Sequence, residues 1–187
     1  MQSGNRVLNK IMKDLLHLPQ HKKFPEVAKA IVEIPKDSTT KYEYDPESGL
    51  MKLDRCLISS LSYPASYGFL PGTLADDGDP VDVLIHNTVP LSPMTLVEVR
   101  VVGALLTYDH GKKDFKILGV PLYNPNNYQD INDLDPTFLS ICEDFFRLYK
   151  KVNRKPNPVK VKGWYHCKEA QNYIKNHLVD TSSNPQT

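Results

Sequence analysis

The chain has 187 residues, of which 40% are hydrophobic and 24% charged, with a formal net charge of +1. That length suits one domain with a small appendage. The near-zero charge gives no bulk field for nucleic acid or an anionic membrane, so any charge logic must be local. No apolar run approaches the ~20 residues of a membrane span.

The opening stretch MQSGNRVLNKIMKDLLHLPQHKK lacks the apolar core of a signal peptide. Arg6, Lys10 and Lys13 against Asp14 make at most a weak organelle-targeting pattern. Residues 1–27 read as a separate, partly helical extension, because Leu8, Ile11, Met12, Leu15 and Leu16 follow helical spacing and Pro19 stops it. A single domain then runs over 28–180, with a flexible tail at 181–187.

The domain opens with strands. AIVEIPK alternates, KYEYD sets Lys41, Glu43 and Asp45 opposite Tyr42 and Tyr44, and GLMKLDRCLI sets Met51, Leu53, Arg55 and Leu57 on one face. DPVDVLIHN, TLVEVRVVGALLTY and DFKILGVPL continue the series, separated by Ser48-Gly49, Asp77-Gly78, Pro90 with Pro93, and His110-Gly111. The last third changes period. Asp135-Pro136 reads as an N-cap with proline at the first helical position. Phe138, Ile141, Cys142, Phe145, Leu148, Tyr149 and Val152 then form one stripe. VKVKGWY reads as a strand, and residues 167 to 178 as a closing helix with Ala170, Tyr173, Ile174 and Leu178 on one face. Strands in series followed by helices predict an α+β fold, a small closed or partly closed barrel flanked by helices.

The three cysteines are far apart and form no C-x-x-C pair, which predicts reduced, mostly buried thiols and a cytoplasmic location. The six histidines show no zinc spacing.

Several charges fall where a barrel strand should be apolar. Glu33 lies between Val32 and Ile34, Arg55 shares a face with Leu53 and Leu57, and Lys41 shares one with Glu43. Each alone fits a solvated face; together they fit strands lining a polar cavity, because buried charges need partners or metals. In LADDGDPVDVLI, Asp76, Asp77, Asp79 and Asp82 fall within seven residues. Asp77 and Asp79 share a parity and Asp82 has the other, so convergence needs a bend that Gly78 and Pro80 can supply. An acidic solvated turn is the plainer alternative. A calcium loop of the EF-hand type is excluded, since its glycine position, counted from Asp77, holds Asp82. TYDHGKKDFKI adds Asp109 and Asp114 among Lys112, Lys113 and Lys116. An all-oxygen carboxylate set suits a hard cation, magnesium with manganese as substitute. Lys41, Arg55, Lys116 and the run LYKKVNRK, containing Lys150, Lys151, Arg154 and Lys155, supply positive charge, and Tyr63 and Tyr67 supply hydroxyls. A small, highly anionic substrate arriving with metal ions fits such a cleft, and phosphoryl transfer to water uses this set.

These residues resemble the soluble family I inorganic pyrophosphatases. The segment DGDPVDV looks like that family's signature, and EIP, KYEYD, DR at Asp54-Arg55, YPASYGF, KKDFK and YKK follow in the family's order over about residues 30 to 178. The resemblance implies an OB-fold-like barrel, several magnesium ions per site, and hydrolysis of pyrophosphate to two orthophosphates. It implies Asp77, Asp82, Asp109, Asp114 and Glu33 as metal ligands, and Asp79 as the carboxylate taking the proton of the attacking water. It further implies Lys41, Arg55, Tyr67, Lys116, Tyr149 and Lys150 as phosphate contacts, with Glu43 and Tyr63 in support. A homo-oligomer follows by the same likeness, a hexamer rather than a dimer for a short chain. One position departs: after Asp109 the family usually places Glu, and here it is His110, which predicts weaker or more pH-dependent binding of the adjacent metal. The rival readings are an OB-fold nucleic-acid binder, which the acidic cleft disfavours; an inactive relative, which the complete set of aspartates disfavours; and a phosphatase of broader range.

Overall fold

The computed structural model describes residues 15–57, 60–150 and 159–179. The expected helical turns over residues 8–12, the tail at 181–187, and Lys151, Arg154 and Lys155 lie outside the described residues.

Five strands close into a ring. They are β1 (Val27–Ile34), β4 (Ser66–Phe69), β5 (Asp82–Ile85), β7 (Lys112–Pro121) and β6 (Leu96–Asp109), hydrogen-bonded in that order, with β6 returning to β1. Only the β5–β7 pairing is parallel among them. At 14 residues, β6 is long enough to serve two neighbours on one edge: Leu96–Arg100 pairs with β1, and Gly103–Tyr108 with β8 (Lys160–His166). The pairings with β7 and β8 carry β-bulges along β6, which bend a strand and strengthen its twist. Such a ring leaves few open edges, and it is the small OB-fold-like barrel expected from the sequence. A separate hairpin, β2 (Thr40–Asp45) and β3 (Leu50–Cys56), stands beside it.

Close approach of β1 and β4 depends on Gly68. A Cβ there would fall 1.8 Å from the Ile31 carbonyl oxygen, so no other residue fits without backbone movement. The alternation pattern predicts no strand at β4, because all four of its residues are buried and period 2 vanishes when both faces are covered.

Two apolar clusters line the two faces of the ring. One gathers small and branched side chains, among them Ala30, Val32, Val83, Ile85, Val99 and Ile117, and α2 (Cys167–Asn176) closes it with Ala170 and Ile174. The other places Leu84, Leu105 and Leu118 beneath Phe145 and Phe146 of α1 (Pro136–Leu148). Burying each aromatic stabilises the fold by about 1.5–3 kcal/mol relative to exposure. The predicted cap holds: the Asp135 side chain accepts from the Thr137 N–H at 2.8 Å, with Pro136 next.

Three expectations need correction. The stripe of α1 turns towards Phe146, leaving Ile141 52% and Leu148 41% exposed. The α2 helix ends at Asn176, and Leu178 instead forms a bridge with Thr73 and stays exposed. Of the cysteines, all free, only Cys142 is buried, while Cys56 is exposed and Cys167 intermediate. A fourth correction concerns β3. Lys41 pairs with Arg55 but Tyr42 pairs with Leu53, so Asp54 is an extra residue that shifts the face, and Leu53 is exposed.

Candidate active site

A cavity of about 330 Å³ opens between the ring, the β2–β3 hairpin and the end of α1. Its acidic wall is the turn before β5. The Ala75 N–H donates to the Asp79 carbonyl at 2.8 Å, and the Gly78 N–H to the Ala75 carbonyl at 3.0 Å. Gly78 has φ +96°, the left-handed region that glycine reaches without Cβ strain. Asp77 caps the turn from within, its Oδ1 accepting from the Asp79 N–H at 3.1 Å. The bend, not strand alternation, therefore brings Asp77, Asp79 and Asp82 to one cavity.

Glu33 reaches the same cavity by another bulge. Between Val32 and Ile34 the β1–β4 register slips by one residue, and Glu33 is the extra one. Its Oε1 accepts from the Tyr44 N–H at 2.7 Å. Burial nevertheless pushes its pKa up to about 7, with Asp82 adding to the shift. From the hairpin between β6 and β7, Asp109 and Asp114 also line the cavity, Asp109 opposite Lys112 and Asp114 opposite Thr107.

Lys116, only 3% exposed, lies at the centre. Its Nζ donates to Asp82 Oδ2 at 2.6 Å, to both oxygens of Asp114 at 2.9 and 2.8 Å, and to the Tyr67 hydroxyl at 3.1 Å. Burial favours the neutral amine, but Asp82 and Asp114 outweigh it and hold the lysine charged. Burial also pushes the Asp82 carboxyl up, against the pull of Lys116. Lys150 bonds to Asp109, whose pKa stays low because Lys150 and His110 overcome its own burial. His110 has φ +49° and sits with Nδ1 2.9 Å from Asp109 Oδ1. Asp79 is more open, and its pKa is raised by partial burial and then by Asp77 and Asp82.

Tyr63, Tyr67 and Tyr149 line the inner wall, and burial raises each phenol so that it stays a neutral donor near pH 7. Tyr63 packs in a tilted arrangement on Phe145, ring centroids 4.7 Å apart, which fixes it behind Tyr67. Lys41 lines the rim and pairs with Glu43, and also with Asp54 at 3.1 Å. Arg55 is the one anticipated residue that does not line the cavity. It is held by Asp54 at 3.2 Å, behind Lys41, and its charge acts on Tyr63. Among the described residues no group of three or more carboxylates, histidines and cysteines is drawn together as a cation shell. Asp82, Asp109 and Asp114 are instead spread across two ammonium groups.

Sequence reasoning missed Asp54 as the link between Lys41 and Arg55, and Leu16, Phe115 and Phe146 as apolar wall. Leu16 precedes the domain and carries no chemical signature. Phe115 and Phe146 are likewise apolar side chains with no chemical signature of their own.

Fold and site together define a small-barrel hydrolase for compact, highly anionic substrates. The family profile described as inorganic pyrophosphatase matches residues 30–181. The inorganic pyrophosphatase of Thermus thermophilus is 44% identical over 162 residues, covering 85% of this chain and 93% of that one. That of Sulfolobus acidocaldarius is 42% identical over 164 residues, covering 85% and 94%. The crystal structure of the Thermus thermophilus inorganic pyrophosphatase superposes with a TM-score of 0.85 at 42% identity, covering 88% of this chain and 97% of that chain. The Helicobacter pylori inorganic pyrophosphatase follows at 0.80 and 36%, covering 86% and 96%. The chain belongs to the inorganic pyrophosphatase family.

Proposed function

We propose that this chain hydrolyses pyrophosphate to two orthophosphates by in-line attack of water on phosphorus, with magnesium as its cation. The observation that carries the reading is the meeting of an open Asp79 of raised pKa with a buried and a partly buried lysine–carboxylate cluster in one cavity.

Asp77, Asp82, Asp109, Asp114 and Glu33 are the groups that would hold divalent cations. Their donor set is entirely oxygen, which fits magnesium, with manganese as substitute. When bound, such cations neutralise substrate oxygens and lower the pKa of coordinated water. Asp79 accepts the proton of the attacking water; its raised pKa brings it closer to the working pH of a general base. Lys116, Lys150 and Lys41 stabilise negative charge on the phosphates, Arg55 adds its charge from behind Lys41, and Tyr67 and Tyr149 donate hydrogen bonds to them as neutral phenols. Glu43 orients Lys41, and Tyr63 backs Tyr67. Water exclusion at the inner wall, through Phe146 and Tyr149, strengthens each of these interactions.

The chain acts as a homo-oligomer, which exposed Ile141 and Leu148 on α1 support, and the family likeness of a short chain favours a hexamer over a dimer. Three free cysteines support a reducing, cytoplasmic compartment. No nucleic acid or membrane partner is proposed, in keeping with the net charge of +1.

Substrate range tests the reading. Phosphate release from pyrophosphate is expected to exceed that from a nucleoside triphosphate or a phosphomonoester by at least ~10²-fold in kcat/KM. Comparable values for all three would favour a phosphatase of broad range.

A further inference from the structure

The family match begins at residue 30, yet Leu16, well ahead of it, lines the cavity. Its side chain is half-buried and packs on Ile31, Tyr44 and Phe69. The backbone around it is strapped to the barrel. The Gly72 N–H donates to the Leu16 carbonyl at 2.6 Å, and the Leu18 N–H to the Leu15 carbonyl at 3.3 Å. Gln20 clamps the strap: Oε1 accepts from the Lys29 N–H at 2.8 Å, and Nε2 donates to the Lys29 and Pro71 carbonyls at 3.1 and 2.7 Å. The Lys29 ammonium returns to the Pro19 carbonyl at 2.9 Å. These bonds tie the strap both to β1 and to the segment between β4 and β5, so Leu16 has a fixed place at the cavity.

The lining divides by chemistry. Lys41, Lys116, Lys150, Tyr67 and Tyr149 offer N–H or O–H donors to an anion, whereas the side chains of Leu16, Pro46, Phe69 and Ala75 offer none. The two sets keep different company. Leu16 shares its apolar cluster with Phe69, while the Lys116 ammonium lies over the rings of Tyr67 and Phe146, 5.6 and 5.4 Å from their centroids. A phosphate chain that outgrew the lysines and reached the apolar side would lose hydration there and gain no hydrogen bond in return.

We propose that Leu16 is a specificity-determining residue: held by the strap, it closes the apolar side of the cavity and selects pyrophosphate against longer linear polyphosphates. The inference rests on the reading of this cavity as a pyrophosphate site. It gives the segment ahead of the family match a part in choosing the substrate.

The test is steady-state hydrolysis of tripolyphosphate and of pyrophosphate, each with magnesium, by the full chain, Leu16→Ala and Leu16→Arg. The quantity read is kcat/KM for tripolyphosphate divided by that for pyrophosphate. It is expected to rise about tenfold in Leu16→Arg, whose long stem can carry donors to the apolar side, and by a smaller factor in Leu16→Ala, which only opens space. A loosened fold would lower both values together and leave the ratio where it was. An unchanged ratio in Leu16→Ala, with pyrophosphate hydrolysed by the parent chain, would overturn the assignment and leave Leu16 a packing residue, even if Leu16→Arg does not fold. Absence of pyrophosphate hydrolysis by the parent chain would overturn the functional reading itself.

Discussion

Glu33 is an acid held where acids are costly. Its neighbours on β1 are buried, and the Tyr44 N–H and the charge of Lys41 compensate its carboxylate only in part. The folded chain binds its proton up to about pH 7, whereas the ordinary value is 4.5. As pH rises from 4.5 through 7, the unfolded state loses that proton first, so the folded state binds more protons and stability falls. The loss amounts to about 3 kcal/mol and levels off above that window. In chelator, Glu33→Gln is expected to flatten this part of the stability curve, measured by urea unfolding at about pH 5 and about pH 8. A slope that persists in the variant would assign the proton to another group. His110 tests a different expectation. It stands beside Asp109 as anticipated, and the metal affinity of His110→Glu decides whether that contact matters.

Among the elements, the acidic turn has its logic written locally. Gly78 and Pro80 mark a bend, and three aspartates of mixed parity can share one cavity only through a bend. Gly78 has open space around the position of a Cβ, so Gly78→Ala tests backbone conformation alone. The variant is expected to lose about 1–2 kcal/mol of stability, measured by denaturant unfolding, and to bind magnesium more weakly. The strands with one solvated side were equally legible. Two irregularities were not. The extra residues Glu33 and Asp54 shift register, and no alternation count locates a bulge before the partner strand is known. Likewise β4 is too short and too buried to show a period. The buried stripe of α1 is rotated towards Phe146 relative to the sequence reading, because Phe146 takes the core position and leaves Ile141 and Leu148, seven residues apart on one side of the helix, exposed. The contact of His177 with Asp76 joins residues 101 positions apart and leaves no local trace.

For the whole molecule, the barrel explains why so many charges can share one cavity. Five strands deliver their side chains to fixed places, and α1 and the β2–β3 hairpin wall off the water. The site residues on β1, β5 and β7 thus face one cavity from a single ring of strands. The exposed apolar positions on α1 belong to this scale as well. Sedimentation equilibrium is expected to give six times the chain mass of 21.3 kDa, and Ile141→Glu to lower it. A monomer at micromolar concentration would contradict the hexamer.

The central claim is that one cavity turns carboxylates, lysines and a water into a pyrophosphate hydrolase, with Asp79 as the base. Orthophosphate release from pyrophosphate, with magnesium and then with chelator, for the parent chain and Asp79→Asn, tests it most directly. Fast release that requires magnesium and falls by about 10²-fold or more in the variant is the predicted result. Release that ignores the chelator, or an Asp79→Asn variant as active as its parent, would contradict it.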